Sequence, residues 1–301
     1  LPSVAMRLLQ ITSADDSDAK QVIDLVKSDP SLSAKILALC KGANKGIRAE
    51  TVTVDRAVVM LGFESIRNAV LSIKVFETFA DSDADAGNQE AAAFHRPSFW
   101  RHCLAVAIAS ELIADKHGDI NPQEAFVCGL LHDIGKLALE QALPKSYQRV
   151  VELTEQSQAN IAQVERKVLG IDHHTAGKRL AEQWGLSHEM CDVIWLHGTN
   201  VRSLPELPHR RMVGLVGIAD QVVRRQHIGY SGNYVMTGDT AERAAALNLD
   251  PRRIEAATNQ LHETLERRAV ALGLGDTPSR HLLLESIMQA NALLGRLNEQ
   301  L

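Results

Sequence analysis

The sequence predicts an all-α fold. Apolar residues recur at steps of three and four along almost the whole chain, and alternating Val/Ile/Thr-rich strand patterns are nearly absent. Helix start and stop signals punctuate the periodic stretches. With 301 residues, 45% of them hydrophobic, the chain can bury a large core as one large or two smaller domains.

The elements follow in order. In SDPSLSAKILALC (28–40), Asp29 suits an N-cap and Pro30 the first helical position, where its missing N–H costs nothing. The small, acidic, glycine-containing stretch ADSDADAGNQE (80–90) is expected to be a surface linker. It divides an N-terminal helical module, residues 1–85, from a larger helical module, residues 86–272. Within the second module, SFWRHCLAVAIASELI (98–113) and GLLHDIGKLALE (129–140) carry helical apolar stripes. In LAEQWGLSHEM, Gly185 suits a C′ position and Ser187 an N-cap, so two helices meet there at a tight corner. HGTNVRSLPELPHR (197–210) and HIGYSGNYVMTGDT (227–240) are expected loops, and no internal repeat is evident.

Residues 273–301 are expected to form a C-terminal helix. Leu283, Ile287, Ala290, Leu294, Leu297 and Leu301 follow the 4-3-4-3-4 steps of a coiled-coil seam, although the run is under three heptads and contains Gly295. Two readings stand: a helix packed on its own domain, or one that dimerises or transmits a signal to a missing domain.

Charge and composition exclude several functions. Lys and Arg number 32 against 37 Asp and Glu, a net of −5, and no basic block stands out to neutralise a phosphate backbone, which argues against nucleic-acid binding. No apolar run reaches the roughly 18 residues of a membrane span, and the N-terminus lacks a signal-peptide layout. Cys40, Cys103, Cys128 and Cys191 form no CxxC pair and read as reduced thiols, so a cytoplasmic location is expected. The chain begins at Leu1 without a methionine, as a piece of a longer protein would.

The informative residues are polar groups on apolar stripes. On a continuous helix through 129–140, Asp133 shares a stripe with Phe126, Leu130 and Leu137, and His132 shares the adjoining one with Cys128, Gly135 and Leu139. An unpaired carboxylate there would cost several kcal/mol or protonate, so a cation, a set of donors or a metal must compensate it. His102 falls in register with Phe99, Val106, Ala109 and Ile113; His173 with Ala176, Leu180 and Trp184; His197 with Met190 and Ile194; Asp220 with Val213, Val216 and Val223. These six groups on five predicted helices can converge on a divalent ion such as Zn, Fe(II) or Mn in a bundle interior. Each alone has a plainer role: a core histidine bonded to a carbonyl, or an aspartate that caps a helix or pairs with arginine. His174, His188, His95 and the remaining histidines are assigned such structural roles.

The order His102, His132–Asp133, Asp220 resembles the H…HD…D signature of the HD superfamily of metal-dependent phosphohydrolases. DPSLSAKILALCKGA, TVDRAVVMLGFESIRNAVLS, FWRHCLAVA and DHHTAGKRLAEQWGLSHEM together resemble the HDOD family, HD-related output domains of bacterial signalling proteins, over about residues 1–270. The resemblance implies two helical subdomains, the second an HD-like bundle, and a signalling partner or fused output domain. Many members of that family lack the HD residues, which this chain keeps. His173 and His197 also resemble the positions where HD-GYP phosphodiesterases place ligands of a second metal. The chain departs from HD-GYP at Gly198, where that family has another histidine, and no GYP tripeptide follows, which argues against cyclic-di-GMP hydrolysis.

In an enzyme of this kind, His102, His132, Asp133 and Asp220 would hold an ion that lowers the pKa of water toward about 7 and polarises a phosphoester. Asp133 and Lys136 are the candidate catalytic residues. Lys136 would steady the phosphate or else stand as a solvated helix residue. The competing reading is a non-catalytic signalling module in which the ion is structural.

Overall fold

The computed structural model describes residues 16–28, 32–34, 36–37, 53–80, 94–114, 120–236 and 239–272. Among them every regular element is helical, apart from an isolated bridge between Asn160 and Asn233. The expected cap at Asp29–Pro30, Cys40, the linker beyond Ala80 and the C-terminal seam lie outside the described residues.

The first helices are α1 (Asp16–Ser28), α2 (Val54–Leu61) and α3 (Phe63–Ala80), which pack on one another through Val22, Val26, Ala57, Ile66 and Val70. Thr53 starts α2 by accepting a hydrogen bond from the Arg56 N–H, which satisfies one of the donors a helix leaves open. Helix α3 also meets the larger group, where the Asn68 side chain donates to Gln123 at 2.7 Å.

The larger group is organised around α4 (Arg96–Ala114). Residues 99–110 of this helix are all buried, and a helix with so few polar positions is stable only when surrounded. Against it pack α5 (Pro122–Leu131), α11 (Arg210–Arg225) and α13 (Pro251–Leu272). The remaining helices are α6 (Ile134–Ala142), α7 (Pro144–Ser157), α8 (Ile161–Leu169), α9 (His173–Gln183), α10 (His188–Leu196) and α12 (Thr240–Ala246). Helix α9 lies between α6 and α10, and α10 leads on to α11.

The sequence expects one continuous helix over 129–140, and the structure breaks it. Helix α5 stops at Leu131 and α6 starts at Ile134, with Asp133 between them at φ −104°, ψ 13°. Asp133 is thus the N-cap of α6, and its carbonyl accepts from the Lys136 N–H at 2.9 Å. Periodicity carries on smoothly across such a short break, so the apolar pattern alone could not show it.

The corner at Gly185 forms as its spacing predicts. Gly185 adopts φ +67°, its N–H donates to the Glu182 carbonyl, the Leu186 N–H donates to Ala181, and Ser187 caps α10 through Met190 N–H. Of the expected loops, 197–210 contains a short 3-10 turn at Val201–Ser203. The segment after α11 is irregular but pinned: Tyr230 N–H donates to Ser98, and Arg224 donates to the carbonyls of Asn233 and Val235. No described helix is long and apolar enough to cross a membrane.

Candidate metal centre

The structure brings all six sequence-selected groups to one buried place. His102 stands mid-way along α4 and Asp220 within α11, His132 and Asp133 at the α5–α6 break, His173 at the first position of α9, and His197 just past the end of α10. Their exposures run from 0% for His102 to 7% for Asp220. His102 Nε2 is 3.2 Å from Asp220 Oδ1, and His132 Nε2 is 3.2 Å from Asp133 Oδ2. The other oxygen, Asp133 Oδ1, is 3.4 Å from His173 Nε2 and 3.5 Å from His197 Nε2. Close backbone approach at glycines brings several of these groups together. A Cβ on Gly135 would lie 1.9 Å from the His173 carbonyl oxygen, so only glycine lets α6 reach the start of α9.

The outer ring nitrogens fix which way the lone pairs point. Nδ1 of His102, His132 and His197 faces the main-chain carbonyls of Ile228, Gly129 and Val193 at 3.3, 2.7 and 3.1 Å. A carbonyl only accepts, so each Nδ1 carries the hydrogen and each ring turns its Nε2 inward. Nε2 of His102, Nε2 of His132 and Oδ1 of Asp133 are buried without a hydrogen-bond partner. Lone pairs of imidazole and carboxylate facing each other at this range repel unless a proton or a cation lies between them.

Burial lowers the His102 pKa despite the neighbouring Asp220, which leaves that ring neutral. Burial also lowers His132, but the Asp133 charge outweighs it and lifts that ring. Burial would raise both acids. His132 and Lys136 nevertheless hold Asp133 well below the usual carboxylate range, and Arg224 with His102 does the same for Asp220. Ionised carboxylates, inward lone pairs and unpartnered buried atoms form a donor set that fits a divalent ion of the Zn, Fe(II) or Mn kind. Donor atoms of His102, His132 and Asp133 all lie within 4.8 Å of one another, as an ion's ligands must.

Several surrounding residues escaped the sequence reading. Arg224 donates from Nε to Asp220 Oδ2 at 2.9 Å and orients that carboxylate; its position four residues after Asp220 was the available signal. Glu165 accepts from the His173 N–H at 2.7 Å and faces His173 Nδ1 at 2.6 Å, while the Tyr147 hydroxyl donates to its other oxygen. Burial pushes the Glu165 carboxyl up to about 8. No linear pattern links Glu165 to His173, because they meet across the α8–α9 turn.

Two expectations need correction. Lys136 is not a solvated helix residue: it is 2% exposed, its Nζ donates to an Asp133 oxygen, and it donates to the Ser231 carbonyl at 2.6 Å. Three residues past Asp133, Lys136 shares that residue's buried face instead of meeting water. His174, set aside on sequence grounds, is also no isolated core histidine. Its ring lies 4.0 Å from that of His173 and 4.7 Å from that of His197, and donor atoms of all three lie within 4.8 Å of one another.

Known proteins share this architecture. The family model described as HDOD domain matches residues 1–199, a span that holds every side chain named above except those of Asp220 and Arg224. An uncharacterised protein of Treponema pallidum (strain Nichols) is 25% identical over 235 residues, covering 74% of this chain and 42% of its own length. The chain therefore spans about two-fifths of that curated relative. Among solved structures, an HDOD domain protein of unknown function from Geobacter sulfurreducens matches with a TM-score of 0.74 at 22% identity, over 92% of this chain and 93% of its own. A candidate phosphohydrolase from Shewanella amazonensis SB2B matches with a TM-score of 0.66 at 24% identity, over 91% and 93%. At these identities the two structures establish a shared fold.

Proposed function

The chain belongs to the HDOD domain family, and from that premise we propose that it is a regulatory output module of a bacterial signalling protein whose centre holds a divalent metal ion. His102, His132, Asp133 and Asp220 are the proposed ligands of that ion, and its role is structural. The observation that carries this reading is the burial of the donors: none of the four is more than 7% exposed. An ion there would tie α4, the α5–α6 break and α11 together, and ligand binding of this kind adds directly to folding free energy. Lys136 supports the same reading, because its ammonium is spent on Asp133 and Ser231 instead of facing a substrate. The module would work in the cytoplasm, where the buried free thiols of Cys103, Cys128 and Cys191 stay reduced. It would pass its signal to a protein partner or fused domain, or to a second copy through residues 273–301.

The second reading is a metal-dependent phosphohydrolase acting on a nucleotide or other small phosphoester, and the retention of all four H…HD…D positions favours it. The ion would supply Lewis acidity and a more acidic water. In that case Asp133 would position the reacting groups and Lys136 would have to leave Ser231 to meet a phosphate.

One experiment separates the two: metal content of protein purified without chelator, followed by phosphodiester assays with Mn(II) or Fe(II). Bound ion with no turnover across several phosphoesters supports the regulatory reading. Turnover abolished by Asp133→Ala supports the enzyme. Protein that takes up no ion refutes both.

A further inference from the structure

We propose that residues 227–236 form a strap whose closure is set by the ion, so that occupancy of the buried centre is felt at the protein surface. The inference rests on the reading above in taking His102, His132, Asp133 and Asp220 as the ligands of that ion.

The strap's main chain is held by the centre itself. Residues 227–236 form no helix and pair with no strand apart from the isolated bridge at Asn233, so their carbonyls need donors from elsewhere. Side chains supply them. The Ile228 carbonyl faces His102 Nδ1 at 3.3 Å, the Ser231 carbonyl accepts from Lys136 at 2.6 Å, and those of Asn233 and Val235 accept from Arg224 at 3.2 and 3.0 Å. His102 is itself a proposed ligand, Lys136 also donates to Asp133, and Arg224 also donates to Asp220. Three of the four ligands thus touch the strap directly or through one side chain. Gly229 permits the contact. A Cβ there would lie 2.4 Å from the Ser98 carbonyl oxygen and 2.5 Å from the His102 nitrogen, so the strap lies against the turn of α4 that carries His102. Its far end reaches water, where Tyr234, Val235 and Met236 are 38–44% exposed.

Charge gives the direction of the coupling. An ion takes up part of the negative charge of Asp133 and Asp220 and repels the Lys136 and Arg224 cations, which then bear more fully on the strap carbonyls. An ion on His102 Nε2 polarises the ring and makes its Nδ1–H a stronger donor to Ile228. Each change tightens the strap, and by linkage a closed strap favours the ion to the same degree.

The test is amide hydrogen exchange with and without Zn(II), read at Tyr230 and Tyr234. Their N–H groups donate to the carbonyls of Ser98 and Ala159 and are released when the strap lifts. Zn(II) content is measured alongside, by elemental analysis after equilibrium dialysis. In the unaltered chain the ion should slow both amides by about fivefold or more, the usual lower bound of coupling between two sites. Gly232→Ala isolates the strap's own opening. Gly232 has φ +67°, which alanine adopts only under strain, and a Cβ there meets Ile161 and Tyr230 but no ligand. In this variant Tyr230 and Tyr234 should exchange faster while the amides of α7 do not, and Zn(II) should still slow the two. Should it fail to fold, Ser231→Ala takes its place, because it removes only the hydroxyl that accepts from the Asn233 N–H at 3.0 Å. Zn(II) bound with exchange at Tyr230 and Tyr234 unchanged or faster would overturn the inference and leave the metal centre standing. Faster exchange shared equally with α7 would also overturn it, since the strap would then have no motion of its own. No bound ion would overturn the centre and the strap together.

Discussion

His102 and Asp220 stand in the interiors of α4 and α11, whereas His173, His174 and His197 stand where α9 begins and α10 ends. On the first side each group is held by its own helix and by one nearby partner, the Ile228 carbonyl for His102 and Arg224 for Asp220. On the second side the side chains are anchored to helix ends, whose positions depend on close backbone contact between α6 and α9 and on a capping aspartate. Asp133 faces both sides with one carboxylate. A mutation that loosens helix packing should therefore damage the second side first, and one at Asp133 should damage both.

The largest expected effect is at Asp133. Asp133→Ala leaves the Lys136 ammonium buried with only the Ser231 carbonyl, and breaking a buried pair in this way costs about 3–5 kcal/mol. Urea unfolding should show that loss, and metal content should fall. Removing the orphaned charge as well, in Asp133→Ala with Lys136→Met, should recover part of the stability and none of the metal binding. A double variant no more stable than the single one would mean that Asp133 and Lys136 do not depend on each other.

Gly135→Ala comes next. Its methyl would meet the His173 carbonyl oxygen at 1.9 Å and the Gly177 nitrogen at 2.7 Å, both backbone atoms that cannot turn aside. Helix α6 must then move off α9, at about 1–3 kcal/mol by the usual cost of overpacking. The imidazole resonances of His173 and His197 should shift while that of His102, on a helix Gly135 does not touch, stays in place. Equal shifts of all three would dissolve the distinction between the two sides.

The same distinction explains what the sequence could show. Helical periodicity identifies a polar residue that breaks an apolar stripe, so His102 and Asp220, which lie inside long helices, were plain, and so was the all-helical fold. The HD pair was visible as a pair, but its setting was not: the pattern from Phe126 to Leu139 stays in register although the helix stops at Leu131 and restarts at Ile134. Lys136, three residues past Asp133, lies on the buried face with or without the break, and the sequence reading missed that neighbour relation. His174 and Glu165 were invisible for a different reason. Their partners come from tertiary contacts across the α9–α10 and α8–α9 turns, and a stripe on one helix holds no record of what stands opposite it.

The smallest effect, and the sharpest probe of the helix-end side, is at Asp172. Its carboxylate caps α9 by accepting from the Thr175 N–H at 2.8 Å, and it pairs with Arg166, whose side chain is about half exposed. The cap and the ion pair can be separated by chemistry. Asn caps a helix about as well as Asp but carries no charge, so Asp172→Asn tests the pair alone, and partly exposed pairs contribute only about 0–1 kcal/mol. Asp172→Ala removes the cap too and should cost about 1 kcal/mol more. Because His173 and His174 follow directly in the first turn of α9, fraying there displaces both rings, while His102 and Asp220 sit on helices that Asp172 does not cap. Thermal melts should rank the unaltered chain, Asn and Ala in falling order, and the imidazole resonances of His173 and His174 should shift only in Asp172→Ala. If Asp172→Asn shifts them as much as Asp172→Ala, then charge beside the imidazoles, and not the position of the helix start, is what holds that side together.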